Sequence, residues 1–284
     1  MTRPTPHPVP PSMVATLACA VLSAAASSST PLPPVTRAGQ VSLTTVQVPL
    51  LGQGLSTTVT VEARFVPGQG EAAGVEAHDA CTVQAEDPAA SPDQPRPDAW
   101  TSASVPARTL DAGDPLTLRG AQPYALLPRT RQGQLFSYTL RAPLPQAPPP
   151  DLKLDIPGAA GGFPAMKGLT VPTVAPLALT APAADDVTPD TIFRWSNPSR
   201  DPGALVLLTG RQDDGDLIFS CTAVDDGSFS FPAATAAELR RRGFTGSLTM
   251  TGRMVARGYR QNDAQLVLRV MRLQMRLPGE EGES

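Results

Sequence analysis

The sequence predicts an all-β fold made of two β-sandwich parts of the immunoglobulin-like type, with one short helix. Apolar and polar residues alternate in segments such as Leu55–Val61, and this period of two is typical of half-buried strands. Gly and Pro are abundant, with 23 and 33 residues, and they punctuate these segments with turns. Only segment 233–242 lacks Gly, is built of good helix formers and stops at a glycine, Gly243, so it predicts the single helix.

The first predicted elements form a hairpin. Segments 41–51 and 55–66 are rich in Val, Thr and Leu, and the short glycine-containing loop 52–54 separates them. A further strand is predicted over 75–83, and a polar loop with several prolines over 87–98.

Later segments follow the same pattern of short apolar runs between turns. The remaining predicted strands are 116–118, 135–140, 152–156, 192–195, 204–208, 217–221, 229–231, 248–257 and 266–277.

The last two predicted strands show their faces most clearly. In the first, one face is predicted to carry Leu248, Met250, Met254 and Ala256, and the other Thr249, Thr251, Arg253 and Arg257. In the second, one set of alternating residues is Leu266, Leu268 and Val270, and the next is Met271, Leu273, Met275 and Leu277. The change of parity predicts a β-bulge within 269–272, because one extra residue reverses the inward face. The arginines predict a solvated face, with an anionic-ligand patch as the alternative.

Composition divides the chain into five segments. They are a signal peptide (1–26), a Ser/Thr/Pro linker (27–40), a first β domain with Pro-rich loops (41–165), a second β-sandwich domain (166–278) and a disordered acidic tail (279–284).

The segment Met13–Ala26 is typical of an export signal. An apolar core follows Arg3, and Ala24 and Ala26 supply the small residues of a cleavage site. The core is shorter than the roughly 20 apolar residues that span a bilayer. The protein is therefore expected to be exported to the periplasm, the cell surface or the medium. A disordered tail is the alternative, and the start codon is either Met1 or Met13.

Cys19 introduces a lipid-anchored variant of this prediction. A lipobox places leucine three residues before the modified cysteine, whereas Leu17 stands only two residues before Cys19. Lipid attachment is therefore the minority prediction, and the mature chain has no other segment long and apolar enough to be a predicted transmembrane helix.

Two cysteines remain after cleavage, Cys81 and Cys221. An oxidising compartment favours a disulfide between them, which the chain-entropy model credits with roughly 4–5 kcal/mol. The alternative is two separate buried thiols. The only mature histidine, His78, has no neighbours at zinc-ligand spacing.

The charge pattern excludes several classes of partner. The formal net charge is −3, which argues against a dedicated nucleic-acid or anionic-membrane binder. Lysine is confined to Lys153 and Lys167, and the preference for arginine is typical of a GC-rich genome.

No strong catalytic or cofactor motif is present, and no cofactor is predicted. The chain lacks a G-x-S-x-G elbow, a P-loop and a dinucleotide-binding glycine motif. Acidic residues concentrate in two turns that flank one predicted strand, and these calcium candidates are Asp213, Asp214, Asp216, Asp225 and Asp226. Ordinary turn chemistry is the alternative, because a strand of this length separates the two turns by about 20 Å.

Several short motifs together carry a resemblance. They are Leu110–Leu118, Tyr138, Ile156–Phe163, Trp195, Phe219–Phe229 and Phe231–Pro232. In these the chain resembles uncharacterised exported or lipid-anchored β-sandwich proteins of GC-rich bacteria such as myxobacteria and Deinococcus relatives. The resemblance implies a secreted β-sandwich architecture and no particular reaction.

The expected function is that of a non-enzymatic exported protein. Its role would be structural or adhesive at the bacterial cell envelope, with an envelope or surface protein as partner. Two alternatives stay open: a periplasmic module that binds a ligand or calcium through the Asp-rich turns, and a secreted hydrolase that uses His78 or gathered carboxylates.

Overall fold

In the part of the chain that the structure describes, the strands form three sheets, which confirms the all-β prediction. A computed structural model of the chain describes residues 33–50, 54–68, 79–85, 108–121, 123–143, 148–182, 186–213 and 216–276. Among these residues the one α-helix is α1 (Ala233–Arg241), which confirms the helix predicted over 233–242. It is too short to cross a membrane, and no described helix has the length and apolar character of a membrane span.

The largest sheet has nine strands. In spatial order they are β3 (Ala80–Ala85), β13 (Leu217–Val224), β12 (Ala204–Gln212), β15 (Gly246–Gln261), β16 (Ala264–Met275), β1 (Arg37–Leu50), β2 (Gly54–Pro67), β7 (Leu135–Pro143) and β6 (Arg129–Gln132). Neighbouring strands are antiparallel except β1 and β16, which are parallel.

Two smaller sheets complete the fold. One has the order β5 (Pro123–Leu127), β4 (Leu116–Arg119), β8 (Lys153–Ile156) and β9 (Met166–Thr170). The other has the order β10 (Ala178–Ala181), β11 (Ile192–Ser196) and β14 (Ser228–Ser230).

Each small sheet packs against part of the large sheet and encloses a hydrophobic core. The first core lies between the four-stranded sheet and strands β1, β2, β7 and β16, and its aromatic centre is Phe65, Tyr138 and Phe163. The second core lies between the three-stranded sheet, α1 and strands β12, β13 and β15. Its aromatic cluster is Phe193, Phe219, Phe229, Phe231 and Phe244.

The sheets do not divide at residue 165, where the sequence suggested a boundary between two parts. Strand β1 from the first predicted part pairs with β16 from the second, and β3 pairs with β13. The nine-stranded sheet therefore runs through both parts. The four-stranded sheet also crosses the suggested boundary, because β9 begins at Met166, and only the three-stranded sheet falls wholly on one side of it. Pairing between strands so distant in sequence leaves no local signal, and local pattern was the basis of the prediction.

The first hairpin has the predicted position and pairing. Strands β1 and β2 are antiparallel, and the loop residues 51–53 lie outside the described residues. Strand β1 begins at Arg37, inside the predicted linker 27–40, because residues 37–40 pair on both sides with β2 and β16. Of the strand predicted over 75–83, the described part begins at Ala80 in β3.

The bulge predicted within 269–272 is wrong. Strand β16 keeps an unbroken register with both β15 and β1. Its even-numbered apolar residues face the first core, whereas Met271 and Leu273 lie on the opposite face beside Leu205 and Met254. The strand is regular and apolar on both faces, so the change of parity marks a change in which face carries large residues.

A register shift occurs instead in β15. Thr209 of β12 pairs with Met250, and the next residue, Gly210, pairs with Leu248, so Thr249 is the extra residue. For this reason Leu248 packs in the second core and Met254 on the opposite face of the sheet, although the sequence predicted a shared face.

Candidate functional site

The most concentrated polar arrangement of the described residues is a buried ion pair in the second core. Arg253 of β15 and Asp225, in the turn after β13, have side chains that are 2% and 1% exposed, and Arg253 Nε lies 2.6 Å from Asp225 Oδ2. The Nε–H does not point at this oxygen closely enough for a directed hydrogen bond. The guanidinium Nη2 of Arg253 donates to Asp225 Oδ1 at 3.2 Å.

Other groups complete the coordination of this pair. The Trp195 indole Nε1 donates to Asp225 Oδ1 at 2.7 Å, and the Ser199 backbone N–H donates to Oδ2 at 2.9 Å. Arg253 donates to the Asn197 carbonyl at 2.9 Å. Its other contacts are long, at 3.5 and 3.4 Å to the carbonyls of Ala175 and Pro176. The pair thus ties β15 to the turns that follow β11 and β13.

This arrangement corrects the expectation of a solvated Arg253 and shows what surrounds the calcium candidate Asp225. Both oxygens of the Asp225 carboxylate contact Arg253 and also accept a hydrogen bond, from the Trp195 indole or the Ser199 backbone N–H. Arg253 is buried rather than on a solvated face, and its carboxylate partner is provided by the chain itself, so it does not belong to an anionic-ligand patch. Alternation placed Arg253 among polar residues, and no local signal in the sequence distinguishes it from the exposed Arg257.

The other calcium candidates are spread over two turns. Asp226 is exposed and accepts the Ser228 backbone N–H at 3.1 Å, an ordinary turn contact. Asp213 and Asp216 are exposed at the ends of β12 and β13, and Asp214 lies outside the described residues. In the described part of the chain, no three His, Cys, Asp or Glu side chains lie close enough together to hold a metal ion.

Cys81 and Cys221 are joined by a disulfide across neighbouring strands. They stand directly opposite each other in the ladder of β3 and β13, with Cα atoms 4.1 Å apart and a sequence separation of 140. Cys221 is fully buried and Cys81 half-buried, and both pack against the second core.

A second polar cluster lies at the rim of the first core. The buried Tyr138 hydroxyl accepts the Ala112 backbone N–H at 2.8 Å and donates to Asp111 Oδ1 at 3.1 Å. The other Asp111 oxygen lies 2.5 Å from an Arg129 guanidinium nitrogen. This cluster joins the loop before β4 to β6 and β7.

Electrostatics at this rim follow from those contacts. Burial alone would raise the pKa of Asp111, but the Gly113 backbone N–H, the Tyr138 hydroxyl and the Arg129 guanidinium outweigh it and lower the pKa. Burial raises the pKa of Tyr138, and the neighbouring Asp111 carboxylate adds to this effect. Tyr138 therefore keeps its proton and acts as a hydrogen-bond donor, not as a base.

A shallow depression lies between the start of α1 and the turn before β11. Its lining includes Ile192, Phe231 and Ala236, and an ion pair between Asp190 and Arg240 forms its rim. The Asp190 carboxylate is neutralised by Arg240, and among the described residues that line the depression it is the only acid. His78, one of the groups that the hydrolase alternative could use, lies outside the described residues, as do Cys19 and the segment 13–26.

Comparisons with family models, curated proteins and solved structures gave no significant match. The resemblance to exported proteins of GC-rich bacteria therefore stays a prediction from sequence.

Proposed function

We propose that the chain is an exported protein of the bacterial cell envelope with a structural or adhesive, non-enzymatic role. In this proposal residues 1–26 direct export and are removed. The remaining chain forms two fused β-sandwiches of immunoglobulin-like character, which present a surface to an envelope or surface protein.

The observation that carries the export proposal is the Cys81–Cys221 disulfide. Such bonds form and persist in oxidising compartments and are rare in the bacterial cytosol. The two cysteines face each other in one ladder although their sequence separation is 140, so the pairing is part of the folded architecture. It agrees with the signal-like segment 13–26, which was identified independently.

The structural role is supported by how the charged residues are used. Asp225 and Arg253 bind each other inside the second core, Asp111 binds Arg129, Asp155 binds Arg119, and Asp263 binds Arg37. Each pair joins strands or loops that are distant in sequence. These carboxylates are each paired with an arginine of the same chain, which favours a scaffold over a catalyst.

Fractionation of cells that produce the protein, with mass spectrometry of its N-terminus and cysteines, tests this proposal. We expect a mature terminus at Ser27, an intact Cys81–Cys221 bond and recovery with the envelope or medium. A lipid on Cys19 would keep the envelope assignment and replace cleavage at Ser27 by anchoring. An intact Met1 with both thiols free in the cytosol would overturn the proposal.

The proposed adhesive role needs a separate measurement. Purified protein should cosediment with isolated envelope from the same cells, and heat-unfolded protein is the control for non-specific adsorption. Recovery only in the supernatant, at a concentration where the envelope is in excess, would exclude an adhesive role.

A further inference from the structure

Apart from its disulfide, the edge strand β3 makes few contacts that hold it on the large sheet. It has six residues, none of them fully buried, and its ladder is with β13 alone. Only Cys81 and Val83 pack against the second core. The strand at the other edge, β6, is also short and exposed, but a two-residue turn joins it directly to its partner β7.

The position of β3 makes its attachment costly in chain entropy. The chain leaves β2, crosses to the far side of the sheet, pairs with β13 and then returns to β4 beside the first core. Five strands separate β2 from β3 in the sheet. Closing the long connections that join β3 to β2 and to β4 costs more conformational entropy than closing the β6–β7 turn. The six-residue ladder of β3 buries too little surface to offset that cost.

The side-chain bonds between β3 and β13 add little. Thr222 Oγ1 donates to the Ala80 carbonyl and Thr82 Oγ1 to the Ser220 carbonyl, both at the long distance of 3.4 Å. One better bond, from the Val224 backbone N–H to Asp79 Oδ1 at 2.9 Å, lies at the exposed start of the strand. The Cys81–Cys221 disulfide is therefore the strongest link between β3 and the rest of the sheet.

We propose that the Cys81–Cys221 disulfide is a redox-sensitive clasp on β3: oxidation holds this strand on the sheet, and reduction releases it while the rest of the sheet stays folded. The bond keeps Cys81 beside Cys221, and its reduction removes this constraint from β3. Release leaves the edge of β13 from Leu217 to Thr222 without a partner, which is the kind of edge that pairs with other strands.

A dithiol reductant supplies the chemistry. Its thiolate attacks the sulfur of Cys81, the more exposed residue of the two, and Cys221 leaves as a thiolate that takes up a proton. The second thiol of the reductant then displaces Cys81 from the mixed disulfide. In total two electrons and two protons pass to the cysteines, and the reductant becomes a cyclic disulfide.

Hydrogen exchange with mass spectrometry tests the clasp in vitro, whatever the cellular compartment. The full chain carries Cys19→Ser, so that only Cys81 and Cys221 respond to dithiothreitol. We expect reduction to speed amide exchange in β3 at least ~10-fold and to speed it in the β13 amides that face β3. Strand β2, in the first core, and edge strand β6 should exchange as before and are the internal controls.

Cys81→Ser in the same background should reproduce the reduced pattern without reductant, and circular dichroism should show that it keeps its strand content. Cys81→Ala with Cys221→Ala checks that the effect comes from the lost bond and not from the new hydroxyl. Equal exchange of β3 with and without the bond would overturn the proposal. So would loss of protection throughout the sheet, because the bond would then hold the whole fold rather than one strand.

Discussion

The first core has its ion pair at the rim, whereas the second core encloses an ion pair completely. At the first core, Asp111 and Arg129 have side chains that are 23% and 37% exposed, so water solvates both ions. At the second core, Asp225 and Arg253 have almost no contact with water, and protein groups replace their hydration. One sheet thus supports two cores that depend on polar contacts to very different extents.

The difference follows from what each core has to hold together. The first core is mainly aliphatic, and a four-stranded sheet covers it. The second core is covered by a three-stranded sheet and one nine-residue helix, with two turns between them. The buried Arg253–Asp225 pair fixes the positions of those turns, because turns lack the backbone hydrogen bonds that hold paired strands together. A buried ion pair is a poor source of net stability but fixes geometry strongly once formed.

The largest expected effect comes from breaking the buried pair. Arg253→Met should lower the free energy of unfolding by about 3–5 kcal/mol, because it leaves the Asp225 carboxylate buried without its counter-ion. The matched control, Arg129→Met at the first rim, should cost less than about 1 kcal/mol. Urea denaturation of both variants measures the contrast.

A double variant separates charge burial from general disruption. Adding Asp225→Asn to Arg253→Met removes the stranded charge and keeps an acceptor for the Trp195 indole, so it should recover part of the loss. If Arg253→Met costs no more than Arg129→Met, the two cores do not differ in the way described.

The next effect tests how closely each core is packed. A Cβ on Gly210 would lie 2.3 Å from the Phe219 ring and 2.8 Å from the Ser247 carbonyl oxygen, and the latter is backbone that cannot move away. A Cβ on Gly39 would meet only side-chain atoms, of Phe65 at 2.7 Å and of Leu266 at 2.8 Å. Gly210→Ala should therefore cost about 1–3 kcal/mol and Gly39→Ala less.

Gly258→Ala is the control, because no atom lies within 4 Å of a Cβ there and the change should stay within about 0.5 kcal/mol. Thermal unfolding followed by circular dichroism ranks the three. A greater loss for Gly39→Ala than for Gly210→Ala would show that the first core is the less adaptable one.

These residues also show what the sequence could and could not predict. Alternation placed the hairpin of β1 and β2, and glycine punctuation with terminal arginines placed α1, since both signals are local. Strands β5, β6, β9 and β10 were not predicted. They are short, and β6 is exposed at all four positions, so it shows no alternation.

The candidate site was harder to predict, because its partners come from distant strands. Asp225 stands in an ordinary turn sequence, and Arg253 alternates with threonines like a surface residue. Only the long-range pairing of β12 with both β13 and β15 brings the two side chains together. Periodicity shows that a strand has two faces, but it does not show that both are covered.

The hydroxyl of Tyr138 should matter less than the buried pair but more than an exposed hydroxyl. Tyr138→Phe removes the acceptor for the Ala112 N–H and a donor to Asp111, and should cost about 1–2 kcal/mol. Tyr259→Phe is the control, since the Tyr259 hydroxyl binds the Thr170 carbonyl at an exposed position where water can replace it. Equal losses in urea denaturation would mean that the rim of the first core does not depend on this cluster.

The smallest expected effect is on stability in acid. It concerns the ion pair between Arg37 of β1 and Asp263 in the turn before β16. Hydrogen bonds from the Arg37 guanidinium and the Thr36 hydroxyl lower the pKa of Asp263 from 3.8 to about 2. Because the folded pKa lies below the unfolded one, this contribution to stability is complete above about pH 4 and is lost as the pH falls through about 2. The melting temperature of Asp263→Asn should therefore fall less steeply than that of the wild type between these values. The two curves should converge at the acid end, where the wild-type carboxyl is also protonated. Parallel curves would mean that the acid sensitivity arises from other carboxylates. The Arg37–Asp263 pair would then not be one of the contacts that stabilise the first core.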